Sequence, residues 1–222
     1  MTPERYNKTK AVLNRRQPDL TLLAEETQKT HNVAALLRTC DSVGIYCMHA
    51  VSPDGKFPRH RKVESGTRKW VDVRAHKTTD TAIQSFRAQG LQILTATVSQ
   101  DSIDYREADY TKPTALIVGS ELRGATAVAT AEADHCIEIR MLGMVESLNV
   151  SVAAALILFE AARQREAAGL YNASRLPEED YRRTLFEWCY PHIARRCREA
   201  GLVYPFLDDE GCILNNPFEA KD

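Results

Sequence analysis

Short runs of aliphatic and β-branched residues alternate with helix-patterned segments along most of this chain. That alternation restricts the possible folds more than any other feature. The runs are LTLLAEE, YCMHAVS, VDVRAH, LQILTATV, ALIVGS and CIEIRM. Around them stand HNVAALLRTCDSVGI, TDTAIQSFRAQG, a short helix beginning near Thr126, and the apolar helix that follows Asn149. In the first of these, Val33, Leu36, Leu37 and Cys40 recur along one helical face, and Gly44 closes it. Strands separated by helices of about a dozen residues predict a parallel sheet covered on both faces. Residues 4–16 read as a basic amphipathic helix ending at the breaker RRQPDL; after Gly169 come the charged helices PEEDYRRTLFEWCY and PHIARRCREAGL. The expected organisation is an α/β domain over residues 1–170, including the short N-terminal helix, and a helical extension over residues 171–222.

A chain of 222 residues with 44% hydrophobic content can build one core of that size. Its longest apolar run, about ten residues after Asn149, is half of what a bilayer span needs, so no membrane is expected. MTPERYNKTK is too polar for a secretory signal. Six scattered cysteines without a C-x-x-C pair suit neither a disulfide framework nor a zinc site. Reduced thiols, a cytoplasmic setting and no metal follow as expectations. The net charge of −1 offers no bulk attraction for a polyanion, so any nucleic-acid surface must be local.

Three loops follow strand ends, where open α/β sheets place their sites. In HNVAALLRTCDSVG, Asn32 and Arg38 lie six residues apart, roughly 600° of helix, and so do not share a face. Read alone, they are a helix cap and a solvated charge. IVGSELRGAT contains Gly119, Glu121 and Gly124, and its glycines allow backbone groups to approach a ligand, although it matches no phosphate-binding glycine motif. IEIRMLGMVESLNVS sets Ser147, Leu148 and Asn149 at a helix entrance. One cap suffices for one helix, so the second small polar residue points toward a ligand.

Taken together, N-x-x-A-x-x-R-T, G-S-E-x-x-G and M-x-G-M-x-x-S-L-N-V-S-V-A-A-A, in this order, resemble motifs one to three of the SPOUT RNA 2′-O-methyltransferases. Within them the likeness is to the TrmH-type tRNA (guanosine-18-2′-O)-methyltransferases, from RRQPDLT through EAARQREAAGLY to the terminal YP segments. The resemblance implies a parallel α/β fold with a deep C-terminal trefoil knot, a stated exception to the usual topology rules. It also implies S-adenosylmethionine as cofactor, a homodimer whose subunits complete each other's sites, and methylation of the guanosine-18 ribose in the tRNA D-loop. By position it implies a cofactor pocket lined by Ala96, Gly119, Ile139, Met141, Ser147, Leu148 and Asn149. The catalytic set would be Arg38, Asn32, Ser147, Asn149 and Glu121. The family assigns proton removal from the attacking 2′-hydroxyl to the motif-one arginine. A guanidinium titrates above about 12, so Arg38 is either that base or a group that holds the attacking oxygen. One departure is Arg140, where the family has proline; without the fixed φ the loop is less rigid.

The stretch GKFPRHRKVESGTRKW, residues 55–70, carries six Lys/Arg against one Glu, with His60 and Trp70 interleaved. Such an imbalance favours phosphate contact, through Arg59, Arg61 and Lys62. By family position Arg5, Arg16, Arg87, Arg163 and Arg165 join them as tRNA contacts. Relatives acting on ribosomal RNA commonly carry a separate N-terminal RNA-binding domain, so the single short helix here favours tRNA. The alternatives are the same chemistry at another tRNA or rRNA site, and a non-catalytic RNA-binding protein on the same fold. A small-molecule methyltransferase of Rossmann type would need a glycine-rich first turn and would leave the basic stretch unexplained.

Overall fold

The computed structural model describes residues 1–25, 29–54, 69–120 and 124–218. Its sheet consists of β1 (Leu20–Ala24), β2 (Cys47–Val51), β3 (Asp72–His76), β4 (Gln92–Ala96), β5 (Ile103–Asp104), β6 (Thr114–Val118) and β7 (His135–Glu138). The spatial order is β3-β2-β1-β6-β4-β7-β5, and every pairing is parallel. Six of these strands match the six runs read from the sequence, β6 and β7 each starting one residue before its run. The seventh, β5, is only two residues long and carries no period to detect. Two late strands are inserted among earlier ones, with β6 between β1 and β4, and β7 between β4 and β5.

All five residues of β1 and of β6 are buried, as a parallel strand covered on both faces requires. Alternate residues feed two cores. Leu22, Leu94 and Leu116 face one side, with Leu36, Leu37 and Cys40 of α2 (Thr30–Ser42) and Ala154, Ile157, Leu158 and Ala161 of α5 (Val150–Ala167). Leu23, Ile93, Ala115 and Ile117 face the other, with Ala82, Ile83 and Phe86 of α3 (Thr79–Ala88) and Ala129 of α4 (Ala127–Ala131). The period of two thus sends neighbouring leucines to opposite layers.

Contacts divide the chain into two compact units, residues 17–171 and residues 1–16 with 172–222. The second contains α1 (Pro3–Leu13), α6 (Glu178–Cys189) and α7 (Pro191–Glu199), with α6 in contact with both others. The N-terminal helix, read from sequence with the sheet, therefore groups with the late helices. Tyr6 and Leu13 are its buried apolar residues, and Tyr6 lies so close to Gly211 that a Cβ there would come within 2.5 Å of the ring.

At the β2–β3 edge, His49 Nδ1 and His76 Nε2 are 2.7 Å apart, with Phe86 edge-on to His49. At that distance only one of the two nitrogens can carry a hydrogen, so the two rings cannot both be protonated. Burial, followed by the neighbouring His76 and Arg74, holds His49 down to about 3; burial and then Arg74 lower His76. A histidine whose folded pKa is depressed takes up protons preferentially when unfolded, so stability drops between the unfolded and folded values. The melting temperature should therefore be flat above pH 6.5 and fall steadily as pH drops from 6.5 toward 4.5. His49→Gln should flatten that fall, as followed by circular dichroism; an equally steep curve in the variant would exclude His49 as the source.

Candidate active site

The carboxyl ends of β4, β6 and β7 open into a cavity of about 360 Å³, within the range of small-ligand sites. Ala96 at the end of β4 and Thr97 just after it line the cavity, with Gly119, Ser120 and Gly124 from the β6 loop, and Ile139 and Met141 from the β7 loop. Ser147 and Leu148 close it before α5, which adds Ala153 and Ile157. Six of the seven residues assigned to the cofactor pocket from sequence meet here; Asn149 stands just beyond them.

The β6 loop is held by its own backbone. Ser120 N–H donates to Gly124 O at 3.0 Å and Gly124 N–H donates back to Ser120 O at 2.9 Å. A Cβ on Gly119 would lie 2.0 Å from the Gly124 carbonyl, so only glycine permits the loop to close on itself. Gly124 has φ of 67°, a left-handed conformation that glycine adopts without strain. Glu121 lies outside the described residues.

Ser147 and Asn149 divide the two tasks that the sequence left open. Asn149 is the N-cap of α5: its Oδ1 accepts from Ser151 N–H at 2.9 Å and from the Ser151 hydroxyl at 2.5 Å. With the oxygen turned to the helix, Nδ2 faces away and donates to Asn32 Oδ1 at 3.3 Å. Ser147 is thereby left to the cavity wall. Asn32 is only 2% exposed, in the first turn of α2, while Arg38 stands exposed further along the same helix. Motifs one and three, 117 residues apart, thus meet through a pair of amides. Sequence reasoning passed over Ser151, Thr97 and Glu146; each lies within or directly beside a segment it did quote.

The expected RNA contacts separate by environment. Arg5 is exposed on α1. Arg87 grips both oxygens of Asp134 and also donates to Glu132 O, and Arg163 grips both oxygens of Glu160. Arg165 is a correction. Fully buried, it donates to the carbonyls of Tyr110, Asp19 and Lys112 and to the side chains of Gln17 and Asp19. Its guanidinium is spent on tying the end of α5 to the entrances of β1 and β6, and no phosphate can reach it. Arg16 is a second correction: it is fully buried with its guanidinium 5.2 Å from the Trp188 ring centroid. Arg59, Arg61 and Lys62 lie outside the described residues. No disulfide joins the six cysteines, and no group of three or more metal-ligating side chains gathers among the described residues. No described helix is long and apolar enough to cross a membrane.

A ligand cavity built from loops at the carboxyl ends of parallel strands, with polar side chains converging beside it, defines an α/β enzyme. The SpoU rRNA Methylase family model matches residues 19–159, and the SpoU C-terminal model matches residues 163–216. The chain belongs to the SpoU methylase family. It is 46% identical over 213 residues to the tRNA (guanosine(18)-2′-O)-methyltransferase of Escherichia coli K12, covering 95% of this chain and 93% of that one. The crystal structure of an Aquifex aeolicus TrmH/SpoU tRNA modifying enzyme matches with a TM-score of 0.78 at 39% identity, over 85% of this chain and 96% of that one. An AdoMet-bound rRNA methyltransferase from Sinorhizobium meliloti matches at 0.60 and 25% identity, over 69% of this chain and 59% of that one.

The amide pair yields a direct test. Asn149→Asp keeps the capping oxygen but puts an acceptor against Asn32 Oδ1. Its melting temperature should stay close to wild type while methyl transfer falls by at least about tenfold. Asn149→Ala, which also loses the cap, should lose about 1 kcal/mol, or a melting temperature lower by about 2–4 °C. Thermal melts and single-turnover assays on both variants separate the two duties.

Proposed function

We infer that this protein is an S-adenosylmethionine-dependent methyltransferase acting on the ribose 2′-oxygen of guanosine 18 in tRNA. The observation that carries the reading is the Asn32–Asn149 junction beside a preformed cavity, in a chain nearly half identical to an enzyme of that activity along almost its whole length. The cavity suits the cofactor by size and by lining, with apolar walls from Ala96, Ile139 and Leu148 and a close backbone approach at Gly119. When bound, the cofactor supplies a methyl group activated on a sulfonium.

The residues assigned catalytic roles are Arg38, Asn32, Ser147, Asn149 and Glu121. Asn149 orients Asn32, and Asn32 lies in the turn that begins the helix carrying Arg38. Arg38 presents its guanidinium from the exposed side of α2, as a group meeting a ribose and its phosphate must. Arg5, Arg87 and Arg163, with the basic stretch at 55–70, are the proposed tRNA contacts. The reading puts the protein in the cytoplasm, together with its substrate.

A second copy of the chain completes the proposal. α5 is apolar on its outer side as well as its inner one: Val152, Leu156 and Phe159 are 47%, 42% and 56% exposed at helical spacing. Leu142, Met144 and Val145, in the loop before it, are 88%, 100% and 65% exposed. A helix that is apolar all round belongs in an interior, and a symmetric pair supplies one.

Three experiments test this function. Incubating the protein with labelled cofactor and unmodified tRNA should label the 2′-oxygen of guanosine 18, as nucleoside mapping would reveal. Arg38→Ala should lose at least about 10²-fold in methyl transfer and keep its cofactor affinity, the scale of a lost base or positioning group. Arg38→Lys separates these roles: activity rising steeply with pH marks a base, and inactivity at every pH marks a planar positioning fork. Sedimentation should give twice the chain mass for wild type and the single chain mass for Phe159→Glu. A wild-type monomer with full activity would remove the dimer from the proposal.

A further inference from the structure

Glu25 is a carboxylate at 1% exposure that none of the foregoing roles uses. It directly follows β1, and its backbone N–H donates to Val118 O at 2.9 Å, which puts it at the mouth of the β6 loop. Its side chain reaches further. Oε2 accepts from Thr126 N–H at 3.0 Å and Oε1 from the Thr126 hydroxyl at 2.8 Å. Oε1 also accepts from the hydroxyl of Thr79, the first residue of α3. Thr126 is in turn the N-cap of α4, accepting from Ala129 N–H at 3.1 Å, so its hydroxyl hydrogen is committed to Glu25.

The location of Thr126 gives these bonds their meaning. Gly119, Ser120 and Gly124 line the cavity, and Thr126 stands two residues beyond Gly124. The upstream end of this loop is fixed by β6 and its neck by the Ser120–Gly124 backbone pair. Its downstream end is fixed by Glu25. Because Gly119 packs directly against Gly124, displacement of Thr126 is transmitted to the cavity wall. Glu25 also follows β1 directly on the way to α2, which bears Asn32.

We propose that Glu25 is a positioning residue for cofactor binding, acting through Thr126 on Gly124, Ser120 and Gly119 at the cavity wall. This rests on the cavity being the cofactor site. Charge-assisted bonds from a buried carboxylate hold a loop more firmly than neutral ones, and their loss is felt where that loop meets its ligand.

The test is equilibrium binding of S-adenosylmethionine by calorimetry, without RNA, beside thermal melting and tRNA binding. Glu25→Ala should weaken cofactor binding by at least about tenfold, the scale of one charge-assisted hydrogen bond, and leave tRNA affinity within about twofold. Glu25→Gln should recover part of the loss, since its amide oxygen still accepts from Thr126 N–H. Thr79→Val is the control, because it removes a hydrogen bond from the same carboxylate without touching the loop. It should lower the melting temperature yet keep cofactor affinity, whereas Thr126→Val should lower both and Thr126→Ser neither. Should Glu25→Ala fail to fold, the comparison of Thr126→Val with Thr79→Val decides. Equal cofactor affinity in all folded variants, or equal losses in those two, overturns the proposal and leaves Glu25 a general structural carboxylate. Wild-type protein that binds no S-adenosylmethionine overturns the functional reading, and this assignment with it.

Discussion

The site depends on the register of the parallel sheet. Pairing runs in a single row through Ala75, Ala50, Ala24, Val118, Ala96, Ile137 and Ile103, one residue from each strand. The loops that build the cavity, and the connection to the helix that bears Asn32, leave the sheet immediately beyond that row. A slip of one residue in β6 would exchange the cores that Leu116 and Ile117 face and withdraw Gly119 from the cavity. Burial on both faces of β1 and β6 makes such a slip costly, so the geometry of the loops is set by the leucines and valines beneath them.

α5 concentrates several duties in one element. Its first residues present the capped amide that faces Asn32, and its inner face closes one core. Its last turn is anchored by the buried Arg165, whose charge is balanced by Asp19 at 2.8 Å and whose other donors meet carbonyls. Losing one partner there would strand a buried charge, which costs far more than an exposed pair returns. The helix is therefore pinned at both ends, by an asparagine at the mouth of the site and by an arginine deep in the unit.

Much of this was legible in the amino-acid sequence, because burial imposes patterns. Six strand segments, the apolar face of α2 and the Thr126 start of α4 follow from period and capping chemistry alone. The cofactor-pocket residues are named by position from the resemblance that the three motifs carry, and six of the seven line one cavity. What sequence could not convey is where a charge points. Arg165 and Arg16 read as basic residues on amphipathic helices, the same signal that Arg163 gives, yet Arg163 is exposed and the other two are sealed inside. Only the third dimension distinguishes a guanidinium surrounded by carbonyls from one facing solvent. The pairing of Asn32 with Asn149 is likewise invisible along the chain, as are the bonds of Glu25 to threonines 54 and 101 residues away.

The order of the strands also has a consequence for the newborn protein. β1 and β4 both take β6 as their neighbour, and β6 begins only at Thr114. β7, starting at His135, must then enter between β4 and β5, strands that left the ribosome before it. A nascent chain therefore holds bare strand edges until well over half of its length has been made. Unpaired edges invite wrong partners, and contacts so distant along the chain form slowly. The sheet that holds the site so firmly once complete is, during synthesis, the part of the molecule longest exposed to misassembly.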